Sequence, residues 1–317
     1  MLLKRVLSLG CAAVIAALPL LSGAAPHAYV PNEGSGTVSV IDTATDLVIA
    51  DILVGKKPRG LAVGKDGHWL YVSDQPDNRL QLIDLLQRTV GGAVALGESP
   101  EGVAISQDGR WVVAAIEAKN EIAITDTATN TLAFSVGVKG QNPEHAVFSP
   151  DGRIILVSAE EGGAVDVIDF ARREQVAQIP VGDRPRGIGF LPDSSRAYVA
   201  TENSSEVYVI DARSFTVIER IKGGARANGV AVHPDGSRVY VSNGGDGSVS
   251  VIDTTTNRII ATVPVGQRPW NMALTPDGKK LYVANGRSNS ISVIDTQQNV
   301  KLRDIAVGKL PWGVVIK

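Results

Sequence analysis

Three features of the sequence together predict an all-β protein: a seven-bladed β-propeller of four-stranded antiparallel blades. First, an Ile-Asp-Thr tripeptide or a close variant recurs with its aspartate at Asp42, Asp84, Asp126, Asp169, Asp211, Asp253 and Asp295, at intervals of 42, 42, 43, 42, 42 and 42 residues. Second, each interval holds four short runs rich in Val, Ile and Tyr, each closed by turn residues. Third, no stretch carries a helical period of useful length. An even period of this size marks a repeat architecture, and four antiparallel strands per repeat make a propeller blade.

The clearest copy lies between Gly229 and Trp270. Gly229 to His233 reads as its first strand, and Pro234-Asp235-Gly236 as a turn. Arg238 to Asn243 is the second strand, followed by a loop from Gly244 to Gly247. Ser248 to Asp253 is the third, Thr254 to Asn257 turns, and Arg258 to Val265 is the fourth. The turns have a mechanism: Gly supplies positive φ, Pro presets φ, and Asp or Asn bonds its own downstream backbone. A single blade cannot bury both of its faces, but a blade packed between two neighbours can. At the chain ends, Tyr29-Val30-Pro31-Asn32 matches a second strand and Pro311 to Ile316 matches a first strand. The C-terminal segment is therefore expected to complete the first blade, one strand against three, and so close the ring.

Residues 1–24 read as a secretory signal peptide, with Lys4 and Arg5 ahead of an apolar run from Val6 to Leu21 and small residues at Ser22-Gly23-Ala24. Residues 25–317 are then filled by seven units of about 42 residues, as one propeller domain. Cys11 is the only cysteine and falls in the leader, so disulfides, thiolate metal sites and covalent haem attachment are excluded for the mature chain. The formal net charge is −2, and becomes −4 once Lys4 and Arg5 are removed. A mildly acidic surface argues against nonspecific binding to nucleic acid or anionic lipid.

Tyr240-Val241-Ser242-Asn243 and Tyr282-Val283-Ala284-Asn285, with recurring Ser-Pro-Asp-Gly and Val-Ile-Asp-Thr, resemble the YVTN family of β-propellers over Ala28 to Lys317. The stretch from Gly266 to Asp295, followed by Val307 to Lys317, is similar to a subgroup associated with PQQ-dependent alcohol catabolism. That resemblance implies a periplasmic accessory role and no reaction of its own.

The repeats supply an internal control. A residue present in every blade serves every blade, so the seven aspartates read as turn caps. Asp66, Asp108, Asp151, Asp193, Asp235 and Asp277 have the same reading in the turn between first and second strands. Function is expected where blades differ, on the face shared by the loop leading into each first strand and the loop after each second strand. The lead-in position reads Arg59, Glu101, Glu144, Arg186, Asn228, Trp270 and Trp312 around the ring. The next position is Gly60, Gly102, His145, Gly187, Gly229, Asn271 and Gly313. The glycines suggest a crowded backbone near the axis, and His145 and Asn271 depart from that rule.

After the second strand come Asp74, Glu117, Glu160, Glu161 and Glu202, whereas Gly244 and Gly286 occupy this position in the last two blades. Acidic groups thus gather on one arc with Arg59 and Arg186 as ion-pair partners. Trp270, Trp312 and Arg268 are expected on the other arc, with the tryptophans free to stack on a planar ring. Against this funnel stands a plainer reading: a solvated rim of weak ion pairs, with the tryptophans packed on neighbouring blades.

The leading expectation is a secreted or periplasmic binding or scaffold protein without catalysis, monomeric and without a membrane span. Its partner is a periplasmic protein or a small ligand at the funnel. The alternative is a hydrolase, lactonase or lyase using a divalent metal held by Glu101, Glu144, His145 and Glu160. A further alternative, DNA binding, sits poorly with the charge. No catalytic set is recognisable, since the nucleophile elbow, Walker loop and zinc-protease motif are all missing. The sequence demands no particular cofactor.

Overall fold

The computed structural model describes residues 26–317, so the leader expected at residues 1–24 lies outside the described residues. Seven four-stranded antiparallel sheets follow one another around a ring. Blade 1 takes its inner strand from the C-terminus: Val315–Ile316 pairs with His27–Asn32, and an isolated bridge joins Asn32 to Pro311. The backbone seals this joint, with His27 N donating to Lys317 O at 2.7 Å and Lys317 N to His27 O at 3.0 Å. Blades 2 to 7 are continuous, running over residues 58–95, 100–137, 143–180, 185–222, 227–264 and 269–306. In blade 6 the first strand is Ala227–Val232, two residues earlier than the sequence suggests, and the fourth ends at Pro264. Two one-turn 3-10 helices, Gln75–Asp77 and Glu117–Lys119, follow the second strands of blades 2 and 3. They are too short to leave a period in the sequence.

Each seam between blades carries its own apolar core, drawn from both sides. The closing seam is typical: Ala28, Val30 and Ile41 of blade 1 pack on Tyr282, Ile291 and Val293 of blade 7. This explains why third strands such as Ser248–Asp253 are buried along nearly their whole length and do not alternate. Fourth strands are mostly exposed, and Leu47–Leu53 alternates because one face meets water. Each fourth strand also meets a register shift in its partner at one repeated position, such as Val251/Ile252 in blade 6. A bulge repeated at every outer edge blunts that edge against pairing with another chain.

The repeated polar residues have repeated jobs. Asp253 Oδ1 accepts the backbone N–H groups of Thr255 and Thr256, and Asp42 does the same for Ala44 and Thr45. Asp235 Oδ1 accepts from Ser237 N in the other turn. The Asn at the end of the second strand binds the third strand and the incoming loop. Asn243 Nδ2 donates to Ser248 and Ser250, and its Oδ1 accepts from Gly224 N.

At some seams a tyrosine latches neighbouring blades, although Tyr240 OH of blade 6 has no such partner. Tyr71 OH donates to Asn130 Oδ1 at 2.9 Å and Tyr198 OH to Asn257 Oδ1 at 2.7 Å, each reaching the turn after the next blade's third strand. At the closing seam the latch is charged: Asp46 receives both Tyr282 OH and Lys280 Nζ. Among the described residues, no helix is long and apolar enough to cross a membrane.

Candidate functional site

The first strands crowd around the axis. A Cβ added at Gly60 would lie 2.4 Å from Glu101 O, at Gly102 2.6 Å from Glu144 O, and at Gly229 2.4 Å from Trp270 O. These glycines are required by close approach of backbone to backbone. Blade 4 escapes the rule. It lies largely within the one 43-residue interval, Asp126 to Asp169, and its His145 pairs in register with Ser158. In blade 3, by contrast, pairing after Pro100 resumes only at Val103. Asn271 fits for another reason: Gly313 opposite it has no side chain, and a Cβ there would come within 3.1 Å of Asn271 Cβ.

These two departures meet. His145 Nε2 lies 3.2 Å from Asn271 Oδ1, bridging blade 4 to blade 7 across the axis. Asn271 Nδ2 donates to Trp312 O at 3.4 Å, which turns its Oδ1 toward the histidine. Nε2 therefore carries the proton and Nδ1 the lone pair. Nδ1 is buried without a partner. The imidazole stacks on Trp312 at 5.3 Å between centroids and 17° between planes. Burial lowers the His145 pKa, and only part of that effect is offset by Glu144, so the ring is neutral.

Above this floor lies a cavity of about 360 Å³, lined among others by Arg59, Glu144, Glu160, Arg186, Asn228, Arg268, Trp270 and Trp312. Its charged groups form two connected networks. In the first, Arg59 holds Glu101 at 2.5 Å and Glu33 at 3.2 Å, while Gln75 Nε2 donates to Glu101 and to Ser99. In the second, Arg186 gathers three carboxylates: Glu144 at 2.6 Å, Glu202 at 2.9 Å, and Glu160. Arg268 Nη2 reaches Glu202 at 2.5 Å, and Arg184 reaches Glu160 at 3.1 Å. The Nη1 of Arg268 is buried without a hydrogen-bond acceptor, and the Nε of Arg184 faces Glu202 Oε2 at 3.4 Å.

Burial and crowding shift the acids apart. Burial, reinforced by Glu144, pushes Glu101 up to about 8. Burial and the same neighbour push Glu160 up to about 7. Burial also works against the charge on Glu144, but Arg186, with Arg59, holds its pKa below the usual carboxylate range. Glu144 is thus the ionised partner and Glu160 the proton-holding one, both gathered on one guanidinium.

Several expectations need correction. Glu101, Glu144 and Glu160 are engaged by arginines and His145 by Asn271. Among the described residues no group of three or more His, Cys, Asp or Glu is placed to hold a metal ion. The physical reason is that Arg59 and Arg186 occupy the carboxylates, while Asn271 occupies the histidine's Nε2. Arg268 belongs to the charged arc through Glu202. Trp312 has one face already taken by His145. Asp74 does not line the cavity and accepts the backbone N–H groups of Lys56 and Lys57. Arg59, Arg186, Asn228, Trp270 and Asn271 do line the cavity. Glu33, Gln75 and Arg184 line it too, and the sequence reading passed over them. The signal for Arg184 was its place two residues ahead of Arg186, matching Arg268 two ahead of Trp270.

Comparison with known proteins agrees with this architecture. Residues 169–309 match the sequence model of the Lactonase family, described as a 7-bladed beta-propeller, and residues 29–145 match that of the Cytochrome D1 heme domain. A search among curated proteins gave no match. Among solved structures the chain is similar to hydrazine synthase of Kuenenia stuttgartiensis, with a TM-score of 0.78 and 24% identity, covering 84% of this chain and 92% of that one. It is also similar to a functionally unknown protein of Desulfotomaculum acetoxidans (TM-score 0.80, 18% identity, 92% and 98% covered). A Bacteroides uniformis protein named for 6-phosphogluconolactonase gives 0.77 at 20% identity, with 93% and 100% covered. At these identities the structural likenesses establish the fold: an all-β seven-bladed propeller.

Proposed function

We propose that the protein is a secreted or periplasmic binding protein whose funnel takes a small polar ligand without transforming it. The observation that carries this reading is the state of the funnel's charged groups: they pair with one another across blades, and among the described residues none belongs to a group placed to hold a metal ion. The cavity lies at the small end of the range of about 300–1,000 Å³ typical of ligand pockets. The resemblance of Tyr240 to Asn243 and Tyr282 to Asn285 to YVTN repeats, and of the C-terminal stretch to the PQQ-associated subgroup, supports an accessory role in PQQ-dependent alcohol oxidation. Growth of a deletion strain on alcohols tests that role. Slower growth on a PQQ-dependent substrate is expected, and unimpaired growth on all of them removes the pathway link.

A second reading, lactone hydrolysis, is favoured by the Lactonase match over residues 169–309, a span that holds Arg186, Glu202, Arg268 and Trp270. Ring opening releases a carboxylic acid, so proton release from a sugar δ-lactone in a pH-stat separates the two readings. A non-catalytic funnel gives the buffer rate. Acceleration that disappears in Glu144→Gln supports the hydrolase.

A further inference from the structure

The funnel's polar groups come in two kinds that do not interchange. Ionised carboxylates only accept hydrogen bonds, and guanidinium groups only donate them. Here the charges are already matched: Arg59 with Glu33, Arg186 with Glu144, Arg268 with Glu202. A ligand of either net charge has to break one of these pairs, and separating a buried pair leaves an uncompensated charge behind. What remains available is directional: the spare carboxylate lone pairs of Glu144 and Glu160 and the remaining N–H groups of the arginines that line the cavity.

A hydroxyl is the group that both donates and accepts. Neighbouring hydroxyls on one ring can give a proton to a carboxylate and take one from a guanidinium without disturbing either ion pair. The uncharged arc adds a platform. Trp270 lines the cavity and lies against Gly286, where a Cβ would come within 2.5 Å of the indole. The glycine thus backs the ring with bare main chain, and an amphipathic aromatic of this kind suits an apolar ring face.

We infer that the funnel's ligand is an uncharged polyhydroxylated ring, a sugar or cyclic polyol, stacked on Trp270 with its hydroxyls bridging the carboxylates and arginines around Arg186 and Arg268. This rests on the reading of the funnel as a binding site and narrows it to a chemical class. The proton-holding character of Glu160, which lines the cavity, agrees with it, since a protonated carboxyl adds an O–H donor and removes surplus negative charge.

Isothermal titration of the full chain at pH 7 tests the inference, with glucose and myo-inositol as neutral probes, succinate and inorganic phosphate as anions, and putrescine as a cation. The neutral rings are expected to bind more tightly than any charged probe. Trp270→Ala is expected to weaken them about tenfold, and Trp270→Phe much less, with the unfolding midpoint followed for both. Preference for succinate, phosphate or putrescine overturns the inference and leaves funnel binding standing, as does a Trp270→Ala variant that binds neutral rings like the parent. Heat from none of the three classes overturns both.

Discussion

At the scale of single residues, the funnel is governed by how many carboxylates one guanidinium has to serve. Arg186 faces Glu144, Glu160 and Glu202, and its side chain is only 12% exposed. Replacing it by Met leaves Glu144 without its cation and Glu160 and Glu202 with only Arg184 and Arg268, at a cost of about 3–5 kcal/mol near pH 7. The cost should shrink at pH 5, where Glu160 takes up a proton. Urea unfolding at the two pH values measures this, and an equal loss at both counts against the three-acid cluster.

Glu101 gives a second test. Its pKa is raised to about 8 in the folded protein, mainly by burial and then by Glu144, above the ordinary carboxylate value of the unfolded chain. A raised acid binds its proton more tightly when folded. Its contribution is therefore full below the unfolded value and lost as pH rises through about 8. Stability should fall from about pH 5 to pH 8, and Glu101→Gln should flatten that slope. An unchanged slope in the variant contradicts the assignment. The lead-in residues were legible because seven copies align themselves. Their pairing was only partly legible: Arg59 finds Glu101 one repeat away, but spacing alone could not show that Arg186 sits among the acids and thereby dismantles the expected metal set.

At the scale of elements, blades are held edge to edge by cores and pinned by the tyrosine latches. Tyr198→Phe removes one neutral hydrogen bond to Asn257, a loss of about 1 kcal/mol. Tyr282→Phe removes a bond to the charged Asp46, for which about 1.5–3 kcal/mol is expected. Denaturant midpoints of the two variants compare the seams directly, and equal losses argue against a distinct closing latch. The strands and turns were readable in the sequence because each turn carries its own chemistry, as Asp253 and Asp235 illustrate. The latches were not, because a tyrosine and its partner lie 59 residues apart, a separation fixed only by the way adjacent sheets stack.

At the scale of the whole molecule, two residues, Val315–Ile316, with the Pro311 bridge and the backbone pair between His27 and Lys317, convert an open row of sheets into a ring. The same segment carries Trp312 to the axis, where it stacks on His145 and accepts from Asn271. Closure and the funnel floor therefore depend on one short piece of chain. Calorimetry of a chain ending at Leu310, beside the full-length protein, tests this most directly. A closed ring predicts a lower and broader unfolding transition for the shortened chain. A cooperative transition at the unchanged temperature would contradict closure, and with it the assembly of the funnel from all seven blades.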